Sequence, residues 1–327
     1  MKGTAKVRYQ GYGDPLLVEV MKAHGFEKIP LYEHRPAEDM EVRKSWRDLA
    51  KLRDGPISEK RRIFSDLNAA AEAVKAKALA LGADDVGIAR LTPAMINDDS
   101  ELSHEFVICL IVGEEYEQTI GGPRAIETEA MRTYQACAEI STELAEFVRE
   151  LGYHAIAHHN GACNVQAIPA MYAAGLGELG KHGSLVHPEL GASHRPGFVT
   201  TTLPLATDAP YVFGVQDTCL HCNLCTNNCP GDAIPAQDFI VTEGVRRWVT
   251  DVAKCYVYSR LRAQYCHICV DVCPYVHKAN GDAEKKLLYK DYMSKRKKAG
   301  YKAPAWFPDE ETAILASEDE VKKSRRS

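Results

Sequence analysis

Cys219-Leu220-His221-Cys222-Asn223-Leu224-Cys225-Thr226-Asn227-Asn228-Cys229-Pro230 sets four cysteines at C-x2-C-x2-C-x3-C-P spacing. A second set, Cys255, Cys266, Cys269 and Cys273-Pro274, keeps the C-x2-C-x3-C-P half and moves its first cysteine ten residues away. Structural zinc uses isolated C-x2-C pairs separated by a loop, and neither run has that form. A cube of iron and sulfide needs four thiolates around it, and soft sulfur ligands suit iron there. The spacing therefore predicts two 4Fe–4S clusters. In two-cluster ferredoxins the last cysteine of each run ligates the other cluster. That rule gives Cys219, Cys222, Cys225 and Cys273 to one cluster. It gives Cys266, Cys269, Cys229 and, by remainder, Cys255 to the other.

Working outward, the rest of the chain is ordinary in composition. It has 327 residues, 45% of them hydrophobic and 26% charged, which is enough for two domains with a real core. Eight of its 11 cysteines fall between Cys219 and Cys273. The net charge of −5 calls for neither nucleic acid nor an anionic membrane surface. No run of 18 apolar residues suggests a transmembrane helix. Met1 to Arg8 shows neither an apolar export segment nor a twin arginine, so a cytoplasmic protein is expected.

Residues 1–65 are polar and irregular and read as an N-terminal extension with short helices. Asp66-Leu67-Asn68 opens an Ala-rich helix that stops at Gly82. Asp85 to Ala89 and the apolar run Phe106 to Val112 read as strands, the second fully buried. Glu127 to Leu151 reads as a long helix, Tyr153 to Ala157 and Phe198 to Leu203 as further strands, and Ala167 to Ala174 as helix-like. Residues 66–205 thus form an α/β (α+β) domain, 206–280 a ferredoxin-type module with two clusters, and 281–327 a charged tail. A two-cluster module beside a larger domain is an electron relay feeding an active site.

Outside the clusters the signals are weaker. Gly175-Leu176-Gly177-Glu178-Leu179-Gly180 matches G-x-G-x-x-G but follows a helix-like stretch, so a tight backbone curve is the better reading than a nucleotide site. His154, His158, His159, His182, His187 and His194 crowd a short stretch, yet H-E-x-x-H is absent, and so is the cobalamin motif D-x-H-x-x-G. Cys109, Cys137 and Cys163 read as packing residues. From pattern alone, Tyr134 is a helix residue and Asn160 a turn residue.

Several blocks, in order, resemble the cobalamin-dependent reductive dehalogenases. They are Leu81 to Ala89, Leu144 to Ile156, Ala173 to Gly180, Thr202 to Leu205 with Asp208, and the two cysteine runs. The resemblance implies a nitroreductase-like domain that holds base-off cobalamin, which agrees with the missing D-x-H-x-x-G. It puts Gly175, Leu176, Gly177 and Glu178 in the corrinoid pocket and one cluster close to the corrin. The family's proton donor is a tyrosine matched by Tyr134, and a substrate-lining asparagine is matched by Asn160. A basic residue in the loop after the glycine block supports the tyrosine. Arg195 is the candidate, with Lys181 as fallback, because Ser193 replaces the first of the two arginines the family often shows.

The resemblance implies a reductive dehalogenase-like oxidoreductase acting on a small organohalide, in one version a haloaromatic. The chain after Cys273 is too short for a fused reductase module, so a separate ferredoxin or flavin reductase is expected to deliver electrons. Epoxyqueuosine reductase, a tRNA-modifying enzyme, shares the corrinoid domain and two-cluster module. Its proton donor is an aspartate at the position of Thr133. A third reading is a non-catalytic iron–sulfur electron carrier.

Overall fold

The run Phe106–Gly113 is apolar without alternation because both of its faces are covered. Ile108, Leu110 and Val112 point into one core, with Val74, Cys137, Leu144 and Val148. Val107, Cys109 and Ile111 point into another, with Met95, Ala170, Met171 and Leu176. A period of two on a strand divides alternate residues between faces, and here both faces meet helices. The computed structural model describes residues 15–97, 100–236, 239–242 and 245–279, with isolated positions from 281 to 294. The expected charged tail, 281–327, therefore lies largely outside the described residues, as do residues 1–14.

The buried strand is central in a four-stranded sheet, ordered Asp85–Arg90, Phe106–Gly113, His194–Thr201, Ala155–His158. All three pairings are antiparallel. With helices on both faces this is an α+β domain. The helix Leu67–Ala80 begins where the sequence indicates, because the Asp66 carboxylate accepts from the Ala69 N–H at 2.9 Å. The long helix Pro123–Glu150 starts four residues before Glu127, with Pro123 in its first turn. The third strand in order of pairing also starts earlier than expected, at His194 rather than Phe198, and it ends at Thr201. His194-Arg195-Pro196-Gly197 looks like a turn in sequence. Gly197 lets this stretch run under the long helix instead, since a Cβ there would lie 3.0 Å from the Cys137 carbonyl oxygen. Arg195 consequently sits on a strand, opposite Val112, and not in a loop.

Two N-terminal helices join the body. Trp46 of Ala37–Leu49 packs with Met131 and Ala138 of the long helix. Leu17 and Val20 of Pro15–Ala23 pack with Tyr256 and Leu261 of the cysteine-rich segment. That segment is built from short helices, Val215–His221, Leu224–Asn228, Val252–Ser259, Ile268–Asp271 and Pro274–Ala279. A small hairpin, Glu178–Leu179 with Leu185–Val186, presents Val186 to Val215, Val270, Tyr275 and Val276. Among the described residues no helix is long and apolar enough to cross a membrane.

Candidate functional site

The eight clustered cysteines influence one another through their charges. Cys219 is pushed well above the ordinary thiol range, by burial first and then by Cys273, Cys225 and Cys222. Cys266 sits close enough to Cys255 and Cys229 to feel their charge. Burial likewise raises Cys269, with Cys266, Cys255, Cys225 and Cys229 adding to it. The expected first group is the quartet 219, 222, 225 and 273 and the expected second group is 229, 255, 266 and 269; Cys225 also acts on Cys269 across them. Among the described residues no three His, Cys, Asp or Glu side chains are gathered as a single metal ion requires. Burial pushes Cys273 up to about 12 and Cys225 to about 11. Eight soft thiol donors in two ferredoxin-spaced runs are the donor set that fits iron–sulfur clusters.

Beside the second group lies a polar network anchored on Arg195. Its guanidinium carbon stands 5.2 Å from the centre of the Tyr134 ring. Its Nη2 is 2.6 Å from Glu114 Oε1 and donates to the Tyr265 hydroxyl at 3.2 Å. The other Glu114 oxygen accepts from Ser193 Oγ at 2.9 Å and lies 3.3 Å from His267 Nε2. The second ring nitrogen of His267 meets Asp271 Oδ1 at 2.7 Å. Burial alone would raise the Glu114 carboxyl, but Arg195 and His267 outweigh it and hold it down at about 2. Burial raises the Tyr134 phenol above its ordinary value, and Arg195 opposes that rise.

Glu114, Tyr265 and His267 were not singled out by sequence reasoning. The available signals were an acid ending the apolar strand and two ring residues flanking Cys266. Ser193 is no gap in the network. It holds Glu114, which in turn holds Arg195.

The remaining residues fall in different places. Asn160 is exposed, in a turn closed by reciprocal 3.0 Å backbone bonds between His159 and Ala162. This turn packs on the N-terminal helix, because a Cβ on Gly161 would lie 2.4 Å from the Trp46 carbonyl. The Trp46 ring stands edge-on to Tyr134 at 5.6 Å, so the turn and the phenol share one neighbour. Lys181 does not join Tyr134. Its Nζ donates to Asn223 Oδ1 at 2.8 Å, within the first cysteine run. His154 bonds His104 at 2.8 Å, His158 bonds Thr200 at 2.8 Å, and His187 pairs with Asp85 at 3.0 Å.

The glycine block is packed against the chain itself. Gly175 has φ of +76°, and a Cβ there would sit 2.6 Å from the Ala209 oxygen. A Cβ on Gly177 would lie 2.2 Å from the Val186 oxygen, so backbone meets backbone. Leu176 is buried in the core with Met171 and Tyr172. The Glu178 carboxylate accepts the N–H groups of Phe213, Gly214 and Val215 at 2.5, 2.6 and 3.1 Å. Burial raises this carboxyl and those N–H groups pull it back. Glu178 thereby caps the helix that ends in Cys219-Leu220-His221. Glu178→Ala is expected to cost about 2–3 kcal/mol, since charge-assisted bonds are the strong ones. A lower unfolding midpoint with faster iron loss to a chelator checks this; an unchanged midpoint would show that the cap is dispensable.

Near this block, among the described residues, His182 Nε2 is buried without a hydrogen-bond partner, whereas the His194 ring is turned toward the Leu185 backbone. Desolvation, first among the causes, lowers both imidazoles to about 4, so they stay neutral at pH 7. Buried polar atoms normally find partners, and His182 Nε2 fits a polar non-protein group.

Comparison with known proteins agrees with this architecture. Residues 218–276 match the family model described as 4Fe-4S dicluster domain. The chain is 32% identical over 179 residues to the tetrachloroethene reductive dehalogenase of Dehalobacter restrictus, covering 51% of this chain and 32% of that one. It is 32% identical over 123 residues to the epoxyqueuosine reductase of a Synechococcus strain, covering 32% of this chain and 34% of that one. The solved catabolic reductive dehalogenase NpRdhA in complex with 3-bromo-4-hydroxybenzoic acid superposes with a TM-score of 0.72 at 29% identity, covering 79% of this chain and 39% of that one. The chain thus spans about a third of the length of the curated relatives it matches.

Proposed function

We propose that the chain is a corrinoid- and iron–sulfur-dependent reductase that removes halide from a small organohalide. The observation that carries the reading is the Tyr134–Arg195 pair, with the guanidinium 5.2 Å from the ring centre, linked to Tyr265, the residue before Cys266. It joins a proton donor to the edge of an electron-carrying module. The balance of the reaction is one carbon–halogen bond, two electrons and one proton in, and one carbon–hydrogen bond and one halide ion out.

Bound corrinoid supplies the low-potential metal centre that reduces the carbon–halogen bond. The buried, unpartnered Nε2 of His182 is a group that would fit a polar cofactor of this kind. Gly175 and Gly177 keep the backbone curve that carries Glu178. The two cysteine quartets hold clusters that receive electrons singly from a separate ferredoxin or flavin reductase. Tyr134 gives the proton from its hydroxyl, and Arg195 stabilises the phenolate left behind. Asn160, beside Gly161 in the turn that packs on the Trp46 backbone, is the residue assigned to the substrate side. Within the organohalides a haloaromatic is favoured, since the similar NpRdhA structure contains a bromohydroxybenzoate.

The epoxyqueuosine reductase reading is weaker because of Thr133. It is buried, and its hydroxyl donates to the Glu129 and Ala130 carbonyls at 3.0 and 3.1 Å, so it replaces no aspartate proton donor. Anaerobic reconstitution with cobalamin tests the proposal. About eight iron atoms for two 4Fe–4S clusters, with bound cobalt and halide released from a halophenol under a strong reductant, are expected. Full iron without cobalt would overturn the corrinoid reading in favour of an electron carrier. Full cofactor loading with turnover only of an epoxyqueuosine-containing stem loop would overturn the substrate class.

A further inference from the structure

Lys181 is a buried cation that the proposed chemistry leaves idle. It is 1% exposed, among the largest fully buried side chains of the chain. Burying an ammonium group is costly unless an opposite charge compensates it. The other buried cation of the site, Arg195, has Glu114 at 2.6 Å. Lys181 has two neutral contacts instead, Asn223 Oδ1 at 2.8 Å and the Trp248 ring, whose centre is 5.6 Å from Nζ. Among the described residues no carboxylate lies within ion-pair distance of it; the lysine ion pairs found are those of Lys28, Lys44, Lys51, Lys75 and Lys254.

What surrounds Lys181 is thiols. Its own backbone N–H bonds Cys219, and its charge acts on Cys225. Its anchor, Asn223, lies between Cys222 and Leu224 in the same run. The cation thus lies beside Cys219 and Cys225, and its anchor adjoins Cys222 in the chain.

We propose that Lys181 is the charge-compensating residue of the cluster held by Cys219, Cys222, Cys225 and Cys273, and that it raises the reduction potential of that cluster. The inference rests on the iron–sulfur reading above. Four thiolates around iron and sulfide leave a net negative charge, and one-electron reduction adds another. A fixed cation in a low-dielectric site favours the more negative state. Asn223 is a positioning residue that keeps Nζ against the cluster.

The test is a mediated redox titration of the reconstituted full chain under anaerobic conditions, with the reduced clusters followed by electron paramagnetic resonance and iron quantified on each sample. Lys181→Met keeps length and apolar bulk but removes the charge. It is expected to lower the reduced-to-oxidised ratio of one cluster about tenfold at fixed poise, about 59 mV for one electron. The signal of the other cluster should move far less, and Lys181→Arg should restore the potential. Asn223→Ala leaves the lysine in place and should give a smaller shift of the same sign. If Lys181→Met fails to load, Asn223→Ala decides, and an unchanged potential there overturns the proposal. Full iron in Lys181→Met with both potentials unchanged overturns it directly. A wild-type chain that takes up no iron–sulfur clusters would overturn the underlying reading instead, so the two failures are distinguishable.

Discussion

Replacing Tyr134 with Phe is expected to lower halide release by at least about 100-fold, the usual contribution of a positioned proton donor. Iron and cobalt content should stay at wild-type level. The variant is clean because the ring's neighbours do not use the hydroxyl. Trp46 meets the ring edge-on at 5.6 Å, and the Arg195 guanidinium carbon is 5.2 Å from its centre. Phe keeps both contacts and loses only the proton. Burial pushes the Tyr134 phenol up, so without a neighbouring cation it would be a poor acid at pH 7. Arg195 opposes that shift, which predicts that its removal also depresses turnover. Single-turnover halide release with prereduced protein measures the chemical step apart from electron supply. A Tyr134→Phe variant as fast as wild type would exclude the proton role. If both were inactive yet passed electrons to an acceptor equally well, the chain would be a carrier.

The parts of the molecule legible in sequence are those whose physics is local. The C-x2-C-x2-C-x3-C-P run fixes ligand spacing over a dozen residues, and residues 218–276 match a 4Fe-4S dicluster model. The unbroken apolar run at 106–112 was readable as a strand covered on both faces. Asp66 and Gly82 bracketed a helix through capping chemistry alone. The Arg195 network was not readable in the same way. Its members come from the end of one strand, the start of another, the middle of a helix and the second cysteine run, at positions 114, 195, 134 and 265–267. No local pattern links an acid after Gly113 to a histidine after Cys266. The resemblance places Arg195 in a loop, yet it lies on a strand paired with Val112. Gly197 lets that strand pass close under the Cys137 carbonyl. The glycine block reads as a tight backbone curve, and Gly175 and Gly177 do meet other backbone atoms. The sequence pattern alone does not show that its acid, Glu178, caps a helix.

Glu114→Gln is expected to destabilise the folded chain by about 3–5 kcal/mol at pH 7, the range for breaking a buried ion pair from one side. Gln is nearly the same shape, so little packing is lost. What remains is a guanidinium in the interior without its counter-ion, and His267 without one of its two acceptors. The pH dependence follows from the carboxyl. In the folded chain it lies at about 2, against 4.5 when unperturbed. A depressed folded value means that the unfolded chain binds the proton more readily. The stabilisation is therefore complete above about pH 4.5 and is lost as pH falls from there toward about 2. The stability gap between wild type and Glu114→Gln should be widest at neutral pH and should narrow below pH 4.5. Urea unfolding of the anaerobic holoprotein, measured at pH 7 and at mildly acidic pH, reads both quantities. Equal stability at pH 7 would mean that the Arg195–Glu114 contact is not the compensated pair its geometry describes. A gap that is large but independent of pH would assign the loss to packing. A gap that narrows in acid, together with reduced turnover per folded molecule, would identify Glu114 as the residue that holds Arg195 over the Tyr134 ring.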